Sequence, residues 1–548
     1  MASGAAAARS AFVPPPSFAL EPPRSRRPDA ARRFPSAFAA VSARVRAGVS
    51  RGGHLARSAT PPSVQPWTAD DAGGVVFSAA ELASATGGEL VRSSSSGSVG
   101  TDTRSLRPGQ WFLALSGESF DGDAFVGAAL DAGCAGVISS KPMPPDWSAG
   151  YVRVDDALLA LQSLASDVRR RFHGPVVAVT GSVGKTTTRS LVALALRGLG
   201  EVHETRGNFN NHVGVPLTLL RTSPSARACV LEMGMSGFGE IAALAEIAAP
   251  TVRAVTNVAA AHLEGVGGSL EGVAKAKGEM FAAAARGDVC VINADDVRVA
   301  AMEIPEGCRV ASFGGAGSRA DVEFGDVRTS LESTSFSLTF RGDDDDTEET
   351  ETVRVTMRAP GVHLASCAAC AAAVAFALGQ PPIEIADALS RHRSADGRMR
   401  ATPSNAYPGV TCVDDAYNAS PASVENALRT LAVERAGGRR TAALLGDMLE
   451  LGDAAGDSHA DALRGCLDLG FDVVGVAGPH FAAALEKLRE ERGDTDGVFV
   501  GEDAEALWRA VRDAATREGT VALVKGSRGM GMDRVVRRLV EGEKQDER

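Results

Sequence analysis

The stretch PVVAVTGSVGKTTTRSLVALALRGLG, which begins at Pro175, constrains the fold more than any other part of the chain. Its first half is a short apolar run ending in a glycine turn. Its second half carries apolar residues at helical spacing and stops at Gly200. Strand, glycine-bearing loop and helix make a βα unit, the start of a parallel sheet covered by helices. The joint, TGSVGKT, supplies what a phosphate needs: backbone N–H groups at a helix N-terminus, a lysine for charge and a hydroxyl for magnesium. The common GxxxxGK[ST] pattern would place glycine at position 179, where this chain has Val179. The loop is therefore a tighter TGxxGKT version. It predicts nucleotide binding through Thr180, Gly181, Ser182, Gly184, Lys185, Thr186 and Thr187.

The apolar runs ACVLEMG, RAVTNVA and DVCVINADD continue the strand–helix alternation. FSLTF and VRVTM alternate apolar with polar residues and predict a hairpin whose tip is the acidic RGDDDDTEETET. After about residue 391, GVTCVDDAYN, RTAALLGDM, DVVGVAG, GVFVG and TVALVKGS read as the strands of another αβ unit. A chain of 548 residues exceeds one core. The expected class is α/β in three domains. These are an N-terminal αβ substrate domain over 75–173, a central mostly parallel P-loop-type domain with the small antiparallel hairpin over 174–390, and a C-terminal Rossmann-like αβ domain over 391–548.

Residues 1–74 differ in kind. The first 67 hold ten arginines, no lysine and only Glu21 and Asp29 as acids, among alanine, serine and proline. That composition predicts a disordered organelle transit peptide, plastid in preference to mitochondrion, with an untargeted cytoplasmic tail as the alternative. A net charge of −11 argues against a nucleic-acid partner. No apolar run approaches the roughly 20 residues that span a bilayer, so stable membrane insertion is not expected. Eight cysteines without a repeating framework suit a reducing compartment. Cys367 and Cys370 form a CxxC, but inside an alanine-rich apolar stretch where they read as small core residues.

Two further motifs follow strands. LEMG puts Glu232 at one strand end, and TNVAAAHLEG puts Asn257 and His262 after another. Ligands of α/β sheets gather at the carboxyl ends of strands. Glu232 is either a magnesium ligand or a capping acid. His262 is either a ligand, unusual for so hard a cation, or a hydrogen-bonded loop histidine.

Taken in order, TGSVGKTTT, LEMG, TNVAAAHLEG, AKAKGEMF, INADD and GRM resemble the Mur ligase family, ATP-dependent enzymes that build the peptide of cell-wall precursors. TDTRSLRPGQWFLALSGESFDG, GNFNNHVGVPLTLL, DDAYNASPASV, LLGDMLELG with His459, and LVKGSR resemble the member that adds D-alanyl-D-alanine. The likeness runs from about residue 75 to the C-terminus. It implies a ligase that uses ATP and two magnesium ions to join a UDP-N-acetylmuramoyl-tripeptide to D-alanyl-D-alanine, working as a monomer.

It also implies roles. Lys185 and the glycines would hold phosphates, and Thr186 with Glu232 would hold the first magnesium. Lys277 would be carbamylated by carbon dioxide, its carbamate binding a second magnesium near His262, with Lys275 as the competing lysine. Asn257 would contact ATP, and Asn293 and Asp295 would stand on the adenine side. Arg398 would touch the phosphates, and Asp415, Tyr417 and Asn418 would close over nucleotide and amine. Lys525, Ser527 and Arg528 would lie near the same acceptor, with Asn208, Asn210 and Asn211 beside the substrate. Thr101, Asp102, Thr103 and Arg104, with the SGESFDG loop, would hold the uridine diphosphate end.

The resemblance breaks at PGVHLAS. Leu364 stands where the family reads asparagine, and Cys367 replaces a second frequent asparagine, which puts nucleotide contacts near the linker in question. Alternatives are a diaminopimelate- or lysine-adding ligase, although no Asp-Asn-Pro-Arg stretch is present, or a weakly active nucleotide-binding homologue.

Overall fold

The computed structural model describes residues 68, 73–117, 120–342, 350–492, 495 and 497–543. Residues 1–67 of the expected leader, Glu118 and Ser119 of the SGESFDG loop, and residues 343–349 of the acidic tip lie outside them.

Three larger sheets follow one another along the chain. The first has spatial order Glu89–Arg92, Gly150–Arg153, Gly136–Ser139, Trp111–Leu113, Val99–Gly100, parallel except for its first pair. Buried Trp111, Leu113 and Ile138 pack with Leu161 and Leu164 of the helix Ala157–Arg171. Asp156 caps that helix, and three arginines in its last turn complement the helix dipole.

The second sheet has nine strands. Seven run parallel: Val202–Glu204, Ala228–Glu232, Val176–Thr180, Val252–Val255, Val289–Asn293, Arg309–Gly315 and Val322–Thr329. Thr334–Arg341 and Thr350–Met357 then add as an antiparallel edge, with Thr334 opposite Met357 and Arg341 opposite Thr350. Val176–Thr180 is buried along its whole length, as a strand covered on both faces must be. The helix Leu364–Ala377, LASCAACAAAVAFA, lies against this sheet with Cys367 and Cys370 both buried in the core. Its side chains are small almost all round, so it can approach sheet and neighbouring helix closely.

The third sheet has spatial order Arg400–Pro403, Thr411–Asp415, Thr520–Lys525, Arg440–Gly446, Val473–Ala477, Val498–Gly501, parallel after an antiparallel first pair. The short strands Val202–Glu204 and Arg400–Pro403 form edges too brief for a sequence pattern to reveal. No helix among the described residues is long and apolar enough to cross a membrane.

Candidate active site

The strand Val176–Thr180 ends in the TGSVGKT loop, and the helix Lys185–Ala195 leaves it. Two glycines are obligatory there. A Cβ on Gly181 would fall 1.8 Å from Thr256 Oγ1. Gly184 has φ +83°, and a Cβ on it would stand 3.0 Å from Cys367 Sγ. The loop is also bolted to the segment after the next parallel strand. Ser182 N donates to Asn257 O (3.1 Å), and Ser182 Oγ donates to Ala259 O (2.9 Å). Val183 N donates to Asn257 Oδ1 (2.9 Å), while Asn257 Nδ2 and Thr256 Oγ1 both donate to Val183 O (3.0 Å each). Asn257, an expected ATP contact, uses both its amide atoms to hold the loop.

Lys185 Nζ donates to Gly181 O (2.8 Å). Burial holds its amine below the ordinary lysine range, against the pull of Glu232 and with the push of Arg398. Glu232 is only 3% exposed. Its Oε1 accepts from Asn210 Nδ2 at 2.8 Å, and its Oε2 is buried without a hydrogen-bond partner. A hard, unengaged oxygen beside Lys185 and the Thr186 hydroxyl fits magnesium, whose other positions phosphate oxygens and water can fill. Among the described residues no three His, Cys, Asp or Glu side chains group to hold a metal by themselves. Lys277 is buried on the helix Leu270–Ala282, and burial and then Lys185 push its amine well below the usual range. It does not line the cleft described next.

That cleft, about 790 Å³, opens between the loop and the third sheet. Lys185, Glu232, His262 and Arg398 line it with Asp415, Tyr417, Asn418, Lys525, Ser527 and Arg528, as do Asn208, Asn210 and Asn211. Its size suits a nucleotide-sized ligand. Arg398 Nη2 donates to Thr186 Oγ1 (3.0 Å), so the linker arginine meets the loop directly. Two guanidinium groups stand over the ring of Tyr417, Arg398 at 4.3 Å and Arg528 at 5.3 Å. Asn211 Oδ1 accepts from Val213 N and Gly214 N, which caps the helix Gly214–Leu220.

Several residues expected at the site have partners within the chain or lie away from the cleft. Lys525 Nζ donates to Asp415 Oδ2 (2.6 Å) and Asn418 O (2.9 Å), which ties the end of its strand to the segment after Thr411–Asp415 while it lines the cleft. Asn293 and Asp295 do not line the cleft. Asn293 Nδ2 donates to Thr256 O (2.8 Å), and Asp295 Oδ2 accepts from Gly315 N (2.7 Å). Thr101, Asp102, Thr103 and Arg104 lie on the first sheet's side of the chain and outside the cleft; Arg104 pairs with Asp102 at 2.7 Å. His459, buried, accepts from Met448 N through Nε2 and shapes the LLGDMLELG loop.

Sequence reasoning gave no role to His363, His392 and Glu450, which also line the cleft. Burial lowers the pKa of His363, and it lowers that of His392 to about 4. The one backbone signal could not be read from sequence. Three of the non-glycine residues with positive φ, His262 (53°), Met399 (51°) and Glu450 (63°), all line this cleft. Such conformations cost about 1 kcal/mol or more each and collect at functional sites.

Comparison with known proteins bears on this geometry. The Mur ligase middle domain matches residues 179–375, and the Mur ligase glutamate ligase domain matches residues 397–528. The UDP-N-acetylmuramoyl-tripeptide--D-alanyl-D-alanine ligase of Bacillus subtilis (strain 168) is 34% identical over 445 residues, 81% of this chain and 93% of that protein. The chain belongs to the Mur ligase family. The protein of the same description from Synechocystis is 33% identical to this Mur ligase, over 80% of the chain and 91% of that protein. A crystal structure of MurF from Acinetobacter baumannii matches this Mur ligase with a TM-score of 0.75 at 28% identity, covering 85% of the chain and 99% of the other. The MurF ligase of Thermotoga maritima in complex with ADP matches at 0.69 and 27%, covering 81% and 97%.

Proposed function

We propose that this Mur ligase joins the terminal carboxylate of a UDP-N-acetylmuramoyl-tripeptide to the amine of D-alanyl-D-alanine, with ATP as the energy source. The carrying observation is the 34% identity to a ligase of that description across 93% of its length. The cleft supports it, because a phosphate loop faces side chains of the third sheet across a space of nucleotide size.

The tripeptide carboxylate attacks the γ-phosphorus of ATP, giving an acyl phosphate and ADP. The amine then attacks the acyl carbon, phosphate leaves, and the nitrogen gives up a proton. The first N–H groups of the helix Lys185–Ala195 and the Lys185 ammonium hold the phosphates. Arg398 brings further positive charge from the linker onto Thr186. Thr186 and Glu232 would hold magnesium, which when bound supplies neutralisation of charge on the transferred phosphoryl group. The third sheet shields the acyl phosphate from water. The deciding assay is phosphate release by the purified chain. Release should require both the UDP-linked tripeptide and D-alanyl-D-alanine. Release without the dipeptide, or equal release with diaminopimelate, would reject the assignment.

Carbamylation of Lys277 is supported by its burial and by the absence of any salt bridge to it among the described residues. A carbamate would give it an anionic oxygen donor for a second magnesium. Lys277→Ala should lose turnover and regain part of it with added short carboxylates. The three domains are assigned to the UDP end (75–173), ATP (174–390) and the incoming amine (391–548). The arginine-rich composition of residues 1–74 supports organelle import, plastid first. A fluorescent protein fused behind residues 1–75 should enter the organelle, and cytoplasmic signal would reject that reading.

A further inference from the structure

His262 and Glu450 meet across the cleft. His262 follows the strand Val252–Val255 of the second sheet, and Glu450 follows the strand Arg440–Gly446 of the third. Glu450 Oε2 lies 2.6 Å from His262 Nδ1, an ion-pair distance, although outside the angular range of a hydrogen bond. Both residues hold left-handed backbone, φ 53° and 63°. The Glu450 side chain is 64% exposed, so the pair contributes little to stability and does not offset that backbone.

The surroundings nevertheless force Glu450 into place. Met448 N donates to buried His459 Nε2 (2.9 Å), and Leu449 N donates to Ser527 Oγ (2.9 Å). Two residues of the third domain thereby fix the backbone immediately before Glu450. Strain that neighbours over-determine is a mark of a positioned group.

We propose that Glu450 is a positioning residue for His262. Its negative charge, 2.6 Å from Nδ1, favours the proton on that nitrogen and leaves Nε2 as the lone-pair nitrogen. A carboxylate behind a metal-binding histidine does this routinely, setting tautomer and ring orientation. Here the carboxylate is supplied by the segment that follows a strand of the third sheet, so the orientation of the imidazole depends on a group outside its own sheet. The proposal rests on the ligase reading above.

The experiment uses the full chain with ring-¹⁵N histidine and no ligand, the His262 signals being assigned with His262→Asn. The unsubstituted protein should show His262 protonated at Nδ1. Glu450→Gly, which accepts the left-handed backbone without strain, should shift His262 several-fold toward the Nε2–H tautomer. Its kcat should fall by roughly 10- to 100-fold with KM for ATP within about twofold. Glu450→Gln, which keeps the side chain's shape and loses its charge, should fall between. An unchanged tautomer in Glu450→Gly, or a kcat within twofold of the parent, would overturn the proposal, even if the variant melts higher. Failure of the ligase reading would appear separately, as phosphate release in the unsubstituted chain that ignores D-alanyl-D-alanine; the tautomer measurement does not depend on it.

Discussion

The two walls of the cleft are built on opposite plans. On the second-domain wall, every tie ends on a backbone atom: the TGSVGKT loop is held to residues 256–259 through Ser182, Val183, Thr256 and Asn257, and its helix N-terminus is left free. On the third-domain wall, charged side chains make the main contacts: Asp415 with Lys525, Lys525 with the Asn418 carbonyl, and Arg398 and Arg528 with the ring of Tyr417. The first plan gives a rigid seat for a ligand that is the same in every turnover. The second gathers its contacts from segments far apart in the chain, Asp415 and Lys525 at strand ends and Tyr417 and Arg528 beyond them.

The largest effect that would separate the walls is at Lys185. Lys185→Ala should reduce kcat by about 10³-fold, as for the loss of a preorganised charge at a transferring group, while leaving the melting temperature nearly unchanged. Lys525→Met is the counterpart on the other wall. It leaves the Asp415 carboxylate, 8% exposed, without its partner, and should destabilise the third domain by about 3 kcal/mol in denaturant unfolding. The binding of ATP analogues by the loop should survive it; an equal loss of nucleotide affinity would show that the walls are not separable.

Gly181→Ala should cost about 2 kcal/mol or more, because the methyl must displace Thr256 and break the tie that holds Val183. Calorimetry with an ATP analogue would register it as lost affinity. The smallest effect is expected at Tyr417. Tyr417→Leu removes both guanidinium contacts and should raise KM for D-alanyl-D-alanine a few-fold, about 1 kcal/mol, with nucleotide binding unaltered.

The contrast also explains what could be read in advance. The loop wall is local: strand, turn and helix lie within twenty residues of one another, and glycine, lysine and threonine at fixed offsets specify it. The strands around it were visible as apolar runs, and the antiparallel edge as alternation in FSLTF and VRVTM. The partners within the other wall are far apart in sequence. Nothing in LVKGSR says that its lysine is held by Asp415 110 residues earlier. Asn257, Asn293 and Asp295 were read as nucleotide contacts because amides and carboxylates at strand ends can serve either purpose. Only coordinates show that Val183, Thr256 and Gly315 already engage them. Glu450 stood in plain view in LLGDMLELG, but its meeting with His262 depends on two backbone angles that no residue type dictates.

The alanine-rich helix Leu364–Ala377 has a consequence for how the chain can vary. It works as a shim: Cys367 lies directly beneath Gly184, and most of the remaining side chains are a methyl or a thiol deep. Widening the shim by one branched residue would lift the glycine, and thinning it would let the glycine sag. The height of the nucleotide's seat is therefore set by a helix whose own chemistry is almost inert, and drift in that dull stretch would register first as altered phosphate geometry.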